Sequence, residues 1–122
     1  MPVHLATYLL AALFVWRNRG VPGLVVIALG AALNGLAIAA NGGTLPASAA
    51  ALRRAGLEPE PARFTNSGVL DEPRLAVLGD VFALPASIPF ANVFSVGDVV
   101  TVLGLAYGVH RICRRGRVRS SV

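Results

Sequence analysis

Residues 21–40 (VPGLVVIALGAALNGLAIAA) run for twenty positions without a charged side chain. As a helix, such a run rises about 30 Å at about 1.5 Å per residue, which matches the hydrocarbon thickness of a bilayer. Residues 93–112 (VFSVGDVVTVLGLAYGVHRI) form a second block, with Asp98 near its start and Arg111 near its end. A third block, residues 3–16 (VHLATYLLAALFVW), stops at Arg17-Asn18-Arg19. As a helix it spans only about 21 Å. The apolar residues come in blocks rather than in short alternating runs, so lipid is the expected solvent.

The charge pattern agrees. Only 14% of the 122 residues are charged and 55% are hydrophobic, whereas a soluble domain carries about 25% charged residues. The net charge of +5 comes from eleven basic residues, all arginine. Seven of them flank apolar blocks: Arg17, Arg19, Arg111, Arg114, Arg115, Arg117 and Arg119. That distribution fits the excess of basic residues on the cytoplasmic side of membrane proteins and contact with anionic headgroups. It does not fit nucleic-acid binding, for which no reading element is present. The single cysteine, Cys113, excludes an internal disulfide and any CxxC metal knuckle. Neither a cofactor nor a metal is expected.

These blocks predict an all-α membrane protein with three transmembrane helices, at about 3–16, 21–40 and 93–112, in one domain. Residues 41–92 are expected to be a long extracytoplasmic loop with short helical or interfacial segments, and 113–122 a basic cytoplasmic tail. The arginines then place the N-terminus and the loop outside a bacterial plasma membrane. Within the loop, Ser48 to Gly56 reads as a short helix capped by Ser48, and Leu75 to Leu84 as an interfacial run. Ala31, Gly35 and Ala39 make one smooth helix face, and Gly97, Thr101, Gly104 and Gly108 make another. Small residues of this kind let helix backbones approach closely, within the chain, in a homo-oligomer or against a membrane-protein partner. The short first block suggests that a neighbouring chain or a further N-terminal segment completes the bundle.

Two acids stand out. Asp80 ends an apolar run, and Asp98 opens an apolar helix 18 residues later. An ionisable group at the edge of hydrocarbon is costly and needs a partner or a task. For Asp98 the plain task is to sit in the first helical turn, where a carboxylate meets free N–H groups and the positive end of the helix dipole, with Ser95 as the cap. The sharper reading pairs the two. Carboxylates held close in a dry site cannot both ionise, so one serves as acid and the other as base, as in aspartic peptidases. Asn34, Asn41, Asn66, Asp71, Arg74, Asn92 and Ser95 are the polar residues that would support such a site, although Asn34 reads first as an interhelical hydrogen bond that fixes packing. His4 and His110 read as interfacial groups rather than ligands. No phosphate-binding glycine loop, histidine-rich metal set or G-x-S-x-G elbow occurs.

Four motifs carry a resemblance: Leu33-Asn34; Asn41-Gly42-Gly43 followed by Pro46; Leu78-Gly79-Asp80; and Asn92-Val93-Phe94-Ser95-Val96-Gly97-Asp98. Together they resemble the signature of an uncharacterised bacterial family of polytopic membrane proteins, a domain of unknown function, over nearly all of residues 3–112. The resemblance implies a helical membrane protein and no known activity. Leu45 departs from it, since the family usually has Met before the proline, and members usually carry further hydrophobic sequence at the N-terminus. Phe94-Ser95-Val96-Gly97-Asp98 is also similar to the Phe-Asn-x-Ala-Asp motif of lipoprotein signal peptidase (type II), which has its other catalytic Asp at a similar distance upstream. Asn66…Asp71…Arg74 loosely echoes that enzyme's Asn…Asp-Arg element. Ser95 for Asn and the separated Asp71 and Arg74 depart from its pattern.

Two functional readings follow, and the first is favoured. One is a non-catalytic membrane module or subunit with a polar site around Asp80 and Asp98 on its outer face. The other is an aspartic-type intramembrane hydrolase with those acids as its dyad. A binding or transport site using the same acids with Asn34 and Asn41 is a minor third.

Overall fold

A computed structural model describes residues 2–58 and 67–119, with side chains over 7–58 and 67–114. The chain is mixed α/β rather than all-α. It runs α1 (Pro2–Arg17), α2 (Leu24–Ala40), β1 (Leu45–Pro46), α3 (Ala49–Ala55), β2 (Ser67–Gly68), a 3-10 turn (Ala76–Leu78), β3 (Asp80–Leu84), β4 (Asn92–Ser95) and α4 (Val96–Arg119). Among the described residues only one helix segment, Val96–Arg114, is long and apolar enough to cross a membrane. The three-span expectation is therefore overturned. α1 and α2 have 16 and 17 residues, short of the roughly 20 that a span needs. At its start α2 loses Val21, Pro22 and Gly23 to a turn, because Gly23 takes the left-handed φ of 83°.

The expected loop also holds more regular structure than its composition announced. The short helix expected from Ser48 to Gly56 is present as α3. Ser48 Oγ accepts from the Ala51 N–H, and Gly56 closes the helix in the left-handed conformation. The run from Leu75 to Leu84, expected as an interfacial segment, holds the 3-10 turn and β3. Residues 92–95, expected to lead into or open the last helix, are strand β4. Val81, Phe82, Val93 and Phe94 are β-branched and aromatic residues that pack well on a pleated surface. Phe82 and Phe94 stack across the strands with ring centroids 5.4 Å apart.

β1 and β2 pair in parallel, β3 and β4 pair antiparallel, and an isolated bridge from Ala47 to Asp80 joins the two small sheets. In the second sheet Asp80 pairs with Ser95, while Phe82 pairs with Phe94, so Val81 is an extra residue. This bulge reverses the facing of the strand. Asp80 is buried, and Phe82 and Leu84 are exposed, although simple alternation would put all three on one side.

α2 and α4 form an antiparallel pair that approaches at glycines. A Cβ on Gly30 would lie 2.7 Å from the main-chain nitrogen of Thr101 and collide with the Gly97 carbonyl. Gly104 and Gly108 meet Ile27 and Pro22 in the same way, further toward the start of α2. The expected stripe on α4 is thus the contact face. Facing it are Gly23, just before α2, and Gly30 and Asn34 on α2, whereas the smooth face of Ala31, Gly35 and Ala39 is turned elsewhere. Ala31 and Ala39 are exposed and line a groove facing α1. At the other end of the pair, Gly79 presses on Pro46, whose carbonyl carbon would lie 3.0 Å from a Cβ there. Alanine at Gly79 is expected to force the two sheets apart. About 2 kcal/mol is the expected cost of such overpacking, read as a lowered melting temperature.

Candidate functional site

The four sequence motifs converge where α2 ends, α4 begins and the two sheets meet. Ser95 and Asp98 form a reciprocal cap at the start of α4. The Asp98 N–H donates to Ser95 Oγ at 3.0 Å, and the Ser95 N–H donates to Asp98 Oδ2 at 2.9 Å. The arrangement satisfies two helix-end donors at once, as capping boxes do.

Asn34, on the neighbouring helix, closes the ring. Its Nδ2 donates to Asp98 Oδ1 at 2.9 Å, and its Oδ1 accepts from Ser95 Oγ at 2.8 Å. Both oxygens of Asp98 are therefore engaged. Gly97 permits this ring, because a Cβ there would lie 2.6 Å from both the Asn34 amide carbon and the Gly30 carbonyl oxygen.

Asn41, seven residues after Asn34, acts as a second clamp. Its Nδ2 donates to the carbonyls of Ala37 and Arg74 at 2.8 and 2.7 Å, and its Oδ1 accepts from the Arg74 N–H at 2.8 Å. The amide thus reads the backbone of Arg74 as a strand partner would. Alanine at Asn41 is expected to cost about 1–2 kcal/mol through these lost bonds. Hydrogen–deuterium exchange should rise at residues 74–79 and stay unchanged in the middle of α4.

Asp80 sits across the sheet from Ser95, with 6% of its surface exposed. Its carboxylate accepts from Ser67 Oγ, and its carbonyl accepts from the Ser48 N–H at 3.0 Å. Burial pushes its pKa above the usual carboxylate value. The Ser67 hydrogen bond opposes that shift, and the charge of Asp98 adds to it. The two acids thus share one neighbourhood, while each has its own hydrogen-bond partners.

The remaining sequence candidates lie elsewhere. Asp71 is exposed, and Arg74 enters the site through its main chain. Asn92 is exposed and accepts from the N–H of Val93. Asn66 lies outside the described residues. Ser67 belongs to the neighbourhood but carried no sequence signal of chemistry, since β2 is only two residues long; Pro46 was singled out only as part of a motif. Among the described residues no three His, Cys, Asp or Glu side chains gather as metal ligands.

The arrangement defines a class: a glycine-packed, antiparallel helix pair whose polar ring anchors a small sheet platform. Over residues 1–110 the chain matches the family of unknown function DUF5317, and it belongs to that family. No curated protein and no solved structure matches it.

Proposed function

We propose that this is a small membrane-embedded module without catalytic activity, in which the Asn34–Ser95–Asp98 ring holds an extracytoplasmic platform on a helix pair. The observation that carries this reading is the engagement of Asp98. Both carboxylate oxygens are engaged, one by the helix cap and one by the neighbouring helix, so the acid already serves to hold the ring together.

The membrane setting has separate support. Of the apolar stretch of α4 only 17% is buried, whereas the core helix of a soluble domain is mostly covered. Leu29 and Leu36 on α2, and Val102, Leu103, Leu105 and Val109 on α4, are more than half exposed. All six acids lie between Glu58 and Asp98, whereas Arg17, Arg19 and the five arginines from Arg111 to Arg119 lie outside that stretch. The asymmetry points the arginine-rich end of the helix pair to the cytoplasm of a bacterial cell and the sheets outward. Residues 81–97 carry no charge, and Phe90 at the turn of the β3–β4 hairpin is 93% exposed. A hairpin of that kind suits the outer interface of the bilayer, where aromatic side chains are favoured.

A second reading has one specific observation behind it. Asp80 is buried, its pKa is raised first by that burial, and the charge of Asp98 adds to the shift, as a nearby carboxylate does. An aspartic-type hydrolase would use Asp80 as the acid. A cell carrying Asp80→Asn in place of the wild type separates the two readings. N-terminal peptides of its membrane proteins, measured by mass spectrometry, should match those of the wild type if the module is non-catalytic. Accumulation of an uncleaved precursor would overturn that and establish hydrolysis.

A further inference from the structure

At the end of the helix pair opposite the polar ring, a recess of about 330 Å³ is lined by Arg19, Val25, Val26, Tyr107 and Arg111, with the Gly20–Gly23 turn as its floor. The first turn of α2 borders it and has no side-chain cap. That turn adds the positive end of a helix dipole to two guanidinium groups. No acid occurs in residues 1–57 or 99–122, so the chain there supplies no counter-charge of its own. Adjoining this recess is an apolar groove of about 850 Å³ between α1 and α2. Tyr8, Val15, Trp16 and Ala31 are among its walls, and Arg19 and Val25 line both spaces. Arg19 stands at the junction, its guanidinium 4.5 Å above the Trp16 ring.

We propose that this composite site binds an anionic phospholipid, with the phosphate between Arg19 and Arg111 and one acyl chain along the α1–α2 groove. The charge complementarity selects an anion, and the contiguous apolar groove selects an anion that carries a hydrocarbon chain. Arg is suited to the head because its planar fork meets two phosphate oxygens at once. Tyr107 supplies a hydroxyl at the same level. The inference rests on the membrane setting proposed above and goes beyond it, because a merely lipid-facing surface would not discriminate between headgroups.

Trp16 is the only tryptophan and lies in the groove, so its fluorescence reports the acyl chain. Purified protein in detergent is titrated with phosphatidylglycerol or phosphatidylcholine brominated on the acyl chains. Phosphatidylglycerol is expected to reach half-maximal quenching at a mole fraction at least about fivefold lower, the scale of one basic residue near an anionic surface. Arg111→Gln, which leaves the Arg19–Trp16 stack in place, should cut that preference about fivefold. Arg53→Gln with Arg54→Gln, on α3, should leave it intact and guard against a general charge effect. Equal quenching by both lipids would overturn the site while leaving the membrane setting in place, and quenching by neither would remove both. A preference that survives Arg111→Gln, or one that also falls with the α3 variant, overturns the assignment. Loss of the preference to inorganic phosphate, but not to sodium chloride of equal ionic strength, would show that the recess takes free phosphate, and that too overturns the lipid.

Discussion

Valine at Gly30 is expected to separate α2 from α4 and to cost the protein at least about 3 kcal/mol. A single Cβ at Gly30 already meets main-chain atoms of α4, the Thr101 nitrogen and the Gly97 carbonyl. A backbone cannot rotate aside as a long side chain can, so the helices must move apart, and overpacking of this kind costs about 1–3 kcal/mol even when the neighbours can adjust. The displacement also reaches the polar ring. Asn34 is one helical turn beyond Gly30, and its two bonds to Ser95 and Asp98 depend on the same close approach. Gly35 provides the control, because a Cβ there meets nothing within 4 Å. Alanine at Gly35 should be neutral or slightly stabilising through helix propensity, by up to about 1 kcal/mol. Thermal melts of the two variants in the same detergent test the contrast. Equal melting temperatures for Gly30→Val and the wild type would show that the helix contact is not what holds the pair.

Asp98 and Asp80 are expected to respond in opposite directions when their charge is removed. Asp98→Ala removes the acceptor for the Ser95 N–H and for Asn34 Nδ2, and with it a first-turn anion. About 2–4 kcal/mol is the expected loss, from a helix cap and a hydrogen bond to a charged group. Asp98→Asn should be milder, since an Asn34 flip can restore one donor–acceptor match. Asp80 behaves otherwise, because its burial disfavours the charged form. Its pKa in the folded protein lies above the ordinary value of 3.8, so the folded state binds more protons than the unfolded one in the window just above that value. The resulting stabilisation is complete below the unfolded pKa and is lost as the pH rises through the raised folded one. The wild type should therefore lose stability as pH increases across that window. Asp80→Asn keeps an acceptor for Ser67 Oγ, should flatten that slope and should be no less stable at neutral pH. A melting temperature at pH 7 that falls as far for Asp80→Asn as for Asp98→Ala would refute the asymmetry.

The sequence by itself determined those features that depend on neighbours in the chain. The Ser48 cap and the Gly56 stop delimit α3 through local hydrogen bonds and a left-handed φ. Gly97, Thr101, Gly104 and Gly108 form a stripe because a helix brings every third or fourth residue to one face. The four motifs were legible only through a family resemblance, and membership of the family over residues 1–110 agrees with that resemblance. Only the tertiary structure decided what those residues meet. Which face of α2 would be used was hidden, because Ala31, Gly35 and Ala39 are as small as Gly23, Gly30 and Ala37, and small size alone does not choose a side. β1 and β2 were hidden because two-residue pairings such as Leu45 with Ser67 have no periodicity to read. The burial of Asp80 apart from Phe82 was hidden because one extra residue, Val81, reverses a strand's facing, and a bulge exists only relative to its partner strand. That Asn34 makes an interhelical hydrogen bond was legible, because a polar side chain in an apolar helix needs a partner; that Ser95 and Asp98 are its partners, more than sixty residues away, was hidden, because packing is a property of the folded chain.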